Sequence, residues 1–213
     1  MLDYIIKVLL FQTLFLAVYD LFLKRETFFQ WNRIYLMATS VLAYVIPNIK
    51  ISKVQEIIPQ EYVVMLPEVI LNPTAVIEQQ FDWSILFFLV LKVIFWFGVV
   101  VASLVFAYKL YQIIDLIRTN DRELTSNYYL VWLKNNKAFS FFNYIFLGKE
   151  SINKAQIIEH ELVHVKQKHS LDLLFFELQK ILFWFNPYSY MYQSRMSELH
   201  EFIADSKAVK TKN

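Results

Sequence analysis

Residues 171–192 read LDLLFFELQKILFWFNPYSYMY, and whether this stretch crosses a bilayer or turns back decides the fold. It is apolar enough to be taken for a membrane span. Its polar residues argue otherwise: at 100° per residue, Asp172, Glu177, Gln179 and Lys180 fall within about 160° of a helical wheel. That is an amphipathic helix, with its apolar face on lipid or on other helices. Asn186-Pro187 ends it, because proline lacks the N–H that a continuing helix needs. The expectation is an interfacial or re-entrant helix at 171–187 that returns the chain to the side it started from.

The flanks show why this matters. Upstream, His160-Glu161-Leu162-Val163-His164 is an HExxH sequence inside a helix expected over 153–168, with Ser151 as its N-cap. Histidines four apart project from one helical face, about a turn apart, so two imidazoles can bind one zinc ion. Glu161 beside them can take a proton from a zinc-bound water. Cysteine is absent, so any metal here must use histidine, carboxylate or water. Catalytic zinc usually has three protein ligands and an open position.

Downstream, Glu198, Glu201 and Asp205 share one helical face. Alone they would read as a solvated acidic stripe. With the HExxH present, one of them can complete the metal site and another can orient a histidine from behind. Spacing does not choose between Glu198 and Glu201. If 171–192 crossed the bilayer, His164 and any of these acids would lie roughly 30 Å apart and could not share an ion. His169, five residues after His164, is turned about 140° away. It is expected to be a surface or interfacial histidine. For His200, oxyanion binding and simple packing both stay open.

Composition sets the context. The 213 residues are 57% hydrophobic and 19% charged, with two glycines, which points away from an ordinary soluble domain. Net charge is +2, and no basic run suggests direct nucleic-acid binding. Residues 2–23 form an apolar helix of roughly 33 Å, and 83–108 one of roughly 39 Å. Residues 34–49 are a shorter apolar stretch that would span if extended from Phe28. The segment 50–82 is polar and proline-dotted and reads as an external loop. Lys24, Arg25 and Arg33 between the first two stretches, and Lys109, Arg118 and Arg122 after the third, place those ends inside and the N-terminus outside. Residues 110–125 read as an amphipathic helix leaving the membrane. Residues 128–133 and 138–147 are rich in β-branched and aromatic residues and are separated by a turn-like 134–137, which reads as a hairpin.

The fold class expected is mainly α and integral to the membrane. Three transmembrane helices in a domain at 1–109 precede a cytoplasm-facing α+β zincin-type domain at 110–213, which carries the small hairpin.

The HExxH within residues 159–166, Trp184-Phe185-Asn186-Pro187, and Glu201-Phe202-Ile203-Ala204-Asp205 together resemble the BlaR/MecR family of membrane metallopeptidases, most densely over 138–208. The resemblance implies a gluzincin-type site. His160, His164 and Glu201 would be zinc ligands, Glu161 the catalytic base, and Asp205 a supporting residue behind a ligand. The family's ExxxD pattern favours Glu201 over Glu198. The stretch Ala138-Phe139-Ser140-Phe141-Phe142 fits a bacterial branch, with Phe139, Phe141 and His200 as weaker substrate contacts. The chain ends soon after Glu201, so it reads as a short form without a fourth span or external sensor, and β-lactam sensing is not expected.

The function expected is a zinc-dependent endopeptidase of the bacterial cytoplasmic (inner) membrane. It would signal by cleaving a cytoplasmic regulator, such as a transcriptional repressor, or itself. Its partners would be the lipid bilayer, a protein or peptide substrate and, as an open expectation, a second copy in a homodimer. The rival expectation is a non-catalytic signalling or scaffold module that keeps the zincin fold.

Overall fold

The computed structural model describes residues 2–49, 83–125 and 127–210; the external loop expected at 50–82 lies outside them. α1 (Leu2–Val18) runs on through a π-helical turn (Tyr19–Leu23), and the chain reverses into α2 (Phe29–Val45). α3 (Trp83–Thr119) leads to β1 (Arg122–Thr125), β2 (Tyr128–Leu133), β3 (Ala138–Phe141) and β4 (Tyr144–Gly148), then α4 (Lys154–Lys166), α5 (His169–Leu182) and α6 (Pro187–Lys210). Among the described residues, Asp3–Leu23 and Trp83–Thr119 are the helices long and apolar enough to cross a membrane. α2, expected as a further span, has 17 residues, roughly 26 Å, and buries Asn32, Thr39 and Ser40. Length and apolarity alone therefore do not make it a third.

The boundary expected at 109–110 falls inside α3, which stays helical to Thr119. The helix expected over 110–125 is cut short. Beyond Asn120 the chain pairs with β2, from Arg122 opposite Val131 to Thr125 opposite Tyr128, and so forms a strand that local pattern did not suggest. The expected hairpin of 128–133 with 138–147 is also corrected. The second segment is itself the hairpin: β3 pairs antiparallel with β4 across a turn at Phe142 and Asn143, and β2 lies parallel to β4. The sheet order is β1-β2-β4-β3, which leaves β3 at an edge.

Burial on both faces of the sheet is the reason. Leu130, Ile145 and Leu147 pack under Ile157, Ile158, Leu162 and Val165 of α4. Val131, Leu133 and Phe146 pack on the other face against Ile113, Leu116 and Ile117 of α3. Strands covered on both sides read as continuous apolar runs, so the sequence did not say which pair together. Phe142 takes φ 47° at the turn, a conformation that glycine adopts more easily, and its N–H donates to Ser170 Oγ at 2.9 Å.

α5 and α6 form a helical hairpin. α5 has 14 residues, roughly 21 Å, too short to cross a 30 Å hydrocarbon layer. Asn186, not Ser or Thr, caps α6: its Oδ1 accepts from the N–H of Tyr188 at 3.0 Å, and Pro187 opens the helix where its missing N–H costs nothing. The turn is held against α1, α2 and α3. Asn186 Nδ2 donates to Gln12 Oε1 of α1 and to the Tyr44 hydroxyl of α2, both at 2.9 Å. Trp184 donates its indole N–H to the Phe95 carbonyl of α3 at 3.2 Å, and a Cβ on Gly98 would run into the Trp184 ring. Only glycine allows that approach.

α5 is amphipathic in an inverted sense. Its polar arc faces protein: Gln179 donates to the Ser40 carbonyl at 3.1 Å, and Asp172 is bonded by Arg33. Leu171, Leu178 and Leu182, on the opposite side of the wheel, are exposed. The hairpin core is Leu16, Tyr19, Leu36, Phe176, Tyr192, Met196, Leu199 and Ile203, which joins α1 and α2 to α5 and α6.

Candidate metal centre

α4 starts from Asn153 in a left-handed conformation rather than from a Ser151 cap, and it places His160 and His164 one turn apart with their Nε2 atoms 3.3 Å apart. The α5–α6 hairpin brings Glu201 back beside them. Glu201 Oε2 is 3.3 Å from His160 Nε2, and Oε1 is 3.8 Å from His164 Nε2. One ligand atom from each of the three lies within 4.8 Å of the others. Doubling back after residue 171 is thus what the structure does.

The outer nitrogens of the two rings are also engaged. Asp205 Oδ1 is 3.2 Å from His160 Nδ1, so a proton on that nitrogen is held and the Nε2 lone pair is free. His164 Nδ1 lies 2.8 Å from His169 Nδ1. Burial holds the His164 imidazole below its usual pKa, against the pull of Glu201. A neutral His164 with its proton on Nδ1 donates to His169 and aims a second lone pair at the same point. Two imidazole lone pairs and a carboxylate oxygen converging there repel each other unless a cation or a shared proton lies among them. Tetrahedral bonds of about 2.0–2.1 Å put neighbouring ligand atoms roughly 3.3–3.4 Å apart. The donor set and its spacing therefore fit zinc.

Glu161 is 9% exposed. Burial raises its carboxyl above the usual value, although a hydrogen bond from Ser140 and the nearby His160 pull the other way. Beside His160 a hollow of about 330 Å³ is lined by Ile152, Asn153, Gln156 and Ile157.

Glu198 is engaged elsewhere: it pairs with Lys24 at 2.8 Å and Arg195 at 3.6 Å. Of the two acids that spacing left open, Glu201 is the one at the histidines. Three expectations are corrected. His200 does not line the site; it is 1% exposed, with Nε2 2.8 Å from Asp172 Oδ2. His169 is not a surface residue; it is 2% exposed and stacks on His200 with ring centroids 3.9 Å apart. Burial, then His200 and His164, push it down to about 2, so it is neutral. Phe139 and Phe141 point away from Glu161, into the cluster under α3. In a strand successive side chains alternate, so the residue between them, Ser140, is the one that reaches Glu161.

The segment that carries all these histidines and acids can be compared with known families. Residues 146–213 match the BlaR1 peptidase M56 family. The BlaR/MecR resemblance therefore holds over about a third of the chain, from β4 through the end of α6, and the family is one of peptidases. No curated protein matches the chain. The matched segment contains His160, Glu161, His164, His169, Glu201 and Asp205; Ser140 and Arg33 lie before it.

Arg33 and Asp172 were legible only as a charge near a membrane end and as part of a polar arc. In the fold they are partners: Arg33 Nε and Nη2 lie 2.6 and 2.9 Å from the two Asp172 oxygens. Burial alone would raise the Asp172 carboxyl, but hydrogen bonds from His200 and Arg33 and the Arg33 charge hold it below its usual range. Nothing in one sequence links residues so far apart.

Proposed function

We propose that the chain is a membrane-embedded, zinc-dependent endopeptidase with His160, His164 and Glu201 as metal ligands and Glu161 as general base. The observation that carries this reading is the convergence of three lone-pair donors beside a buried glutamate on an HExxH helix. Zinc, when bound at such a site, supplies Lewis acidity and acidifies a water. Glu161 takes up a proton at its carboxylate and hands it to the leaving amine nitrogen; a raised carboxyl suits a group that must both accept and release a proton near neutral pH. Ser140 holds that carboxylate in place. Asp205 holds His160 by its Nδ1 proton. The unpaired edge of β3 binds substrate backbone as an added strand.

The membrane reading rests on α1 and α3, on the exposed leucines of α5, and on the turn at Asn186-Pro187 that is held against α1, α2 and α3. Buried polar contacts such as Gln12–Asn186–Tyr44 are how helices satisfy each other inside lipid. In this reading α1, α2 and α3 cross the bilayer, and α5 and α6 form a re-entrant hairpin. Lys24 on Glu198 and Arg33 on Asp172 support a cytoplasm-facing site, since basic residues favour that side. Its substrate is a cytoplasmic regulator, a transcriptional repressor for instance, or the protein itself, and a homodimer is its expected assembly.

Zinc per chain, measured on protein purified in detergent, tests the assignment. Glu201→Ala is expected to lose zinc; Glu161→Gln is expected to keep it and to lose peptide cleavage. Zinc unchanged in Glu201→Ala removes that ligand. Cleavage unchanged in Glu161→Gln removes the base. A zinc-loaded wild type that cleaves neither itself nor added peptides points to the scaffold alternative.

A further inference from the structure

Each of the two imidazoles at the candidate metal centre is held from behind, and by different means. His160 has a carboxylate at its outer nitrogen: Asp205 Oδ1 at 3.2 Å from Nδ1. His164 has another histidine: His169 Nδ1 at 2.8 Å. His169 is itself held in a stack. Its ring lies 4° from parallel to the His200 ring, with centroids 3.9 Å apart. His200 Nε2 donates to Asp172 Oδ2 at 2.8 Å, and Asp172 is fixed by Arg33. His169 comes from the first turn of α5, His200 from α6, Arg33 from α2. Four helices thus set the orientation of one ring.

The arrangement is directional. The 2.8 Å contact serves metal binding in one direction: with His169 Nδ1 as acceptor, His164 carries its proton on Nδ1 and leaves unprotonated the Nε2 that faces His160 and Glu201. His169 must then carry its own proton on Nε2, and that nitrogen is buried without a hydrogen-bond partner. A leucine or phenylalanine would fill the space with no such orphan. His200 Nδ1, in the stacked ring, is likewise buried without a partner; what sets His169 apart is its 2.8 Å contact with His164.

We propose that His169 is a positioning residue: it fixes the tautomer and orientation of the His164 imidazole for metal binding, and His200, Asp172 and Arg33 hold His169 in place to do so. This rests on the metallopeptidase reading above. Residues that accept a hydrogen bond from the outer nitrogen of a metal-ligating histidine typically contribute 10–100-fold to metal affinity.

The test uses the full chain in detergent, stripped of metal, with zinc affinity measured by competition against a chromophoric chelator and the Co²⁺ ligand-field spectrum as a second readout. Three substitutions separate orientation from packing. His169→Leu fills the space and removes the acceptor. His169→Gln keeps a polar group but moves its amide towards the Nε2 position. His169→Asn keeps an oxygen where Nδ1 stood. His169→Leu and His169→Gln are expected to weaken zinc binding by about 10–100-fold and to alter the Co²⁺ spectrum, while His169→Asn restores affinity to within a few-fold of wild type. Should His169→Leu fail to fold, His169→Gln against His169→Asn carries the same comparison. Wild-type affinity in His169→Leu or His169→Gln overturns the proposal, and so does a His169→Asn as weak as they are. A wild-type chain that binds no zinc instead overturns the metallopeptidase reading, and this proposal with it.

Discussion

Replacing Arg33 with methionine removes the charged contact that ties α2 to the back of the candidate site, together with a 3.2 Å hydrogen bond to the Gln167 carbonyl. Methionine keeps much of the length and apolar bulk of the arginine stem, so the change is mainly one of charge and hydrogen bonding. Arg33 and Asp172 side chains are 18% and 5% exposed, with the nearest atoms 2.6 Å apart. Removing the guanidinium leaves the Asp172 carboxylate buried with His200 Nε2 at 2.8 Å, while burial, which already pushes that carboxyl up, goes unopposed by the arginine. Breaking a buried pair in this way typically costs about 3–5 kcal/mol, far more than removing both charges together. For a chain of this length that is a fall in Tm of roughly 6–20 °C. The assay is thermal unfolding of metal-free protein in detergent at pH 7, followed by the near-ultraviolet signal of the tryptophans. Arg33→Met combined with Asp172→Asn is expected to recover at least half of the loss, because no charge is then left buried. Lowering the pH into the carboxylate range is expected to narrow the gap between Arg33→Met and wild type. An Arg33→Met protein within about 1 kcal/mol of wild type, or a double variant no better than the single one, refutes the reasoning.

Gly98→Val drives a side chain into the Trp184 ring, and overpacking of this kind costs about 1–3 kcal/mol; faster proteolysis at the α5–α6 turn than in wild type is the expected result. Ser140→Ala removes one hydrogen bond to Glu161, worth about 1 kcal/mol, so kcat is expected to fall roughly fivefold with zinc content unchanged. Acid stability follows from Asp172 and Glu177. For Glu177, burial raises the carboxyl, but hydrogen bonds from Lys180 and Gln193 and the charges of Lys180 and Lys109 outweigh it and hold it low. A carboxyl lower in the fold than in the unfolded chain stabilises above its unfolded value, and the contribution disappears as pH falls through the folded one. Unfolding in detergent is therefore expected to become easier below about pH 4, and Lys180→Met is expected to flatten that dependence at its Glu177 component.

Local chemistry was readable where the signal is periodic or contiguous. His160, Glu161 and His164 share a helical face by spacing alone, and 2–23 and 83–108 announce long apolar helices by composition. Residues 171–187 read as a helix that turns back because their polar positions fall on one arc and Asn186-Pro187 breaks the helix. What that arc faces was not readable: the structure turns Asp172 and Gln179 into protein and the leucines outward. Strand pairing failed for a related reason. Residues 128–133 and 144–148 are apolar on both faces, so alternation carried no register, and β1 exists only because β2 offers it an edge. On a continuous helix His169 points about 140° away from His164, but the left-handed Lys168 ends that helix and re-aims it.

By itself, then, the amino-acid order determined the chemistry on offer: two imidazoles and a glutamate on one helix, acids on a later one, and enough apolar length for a bilayer. Tertiary structure alone decided which acid arrives, what stands behind each imidazole, and which residues of β3 face Glu161. The physical reason is distance along the chain. Helical period fixes neighbours within a few residues, whereas Glu201 beside His160 and Arg33 beside Asp172 are brought together only when burial closes one helix on another.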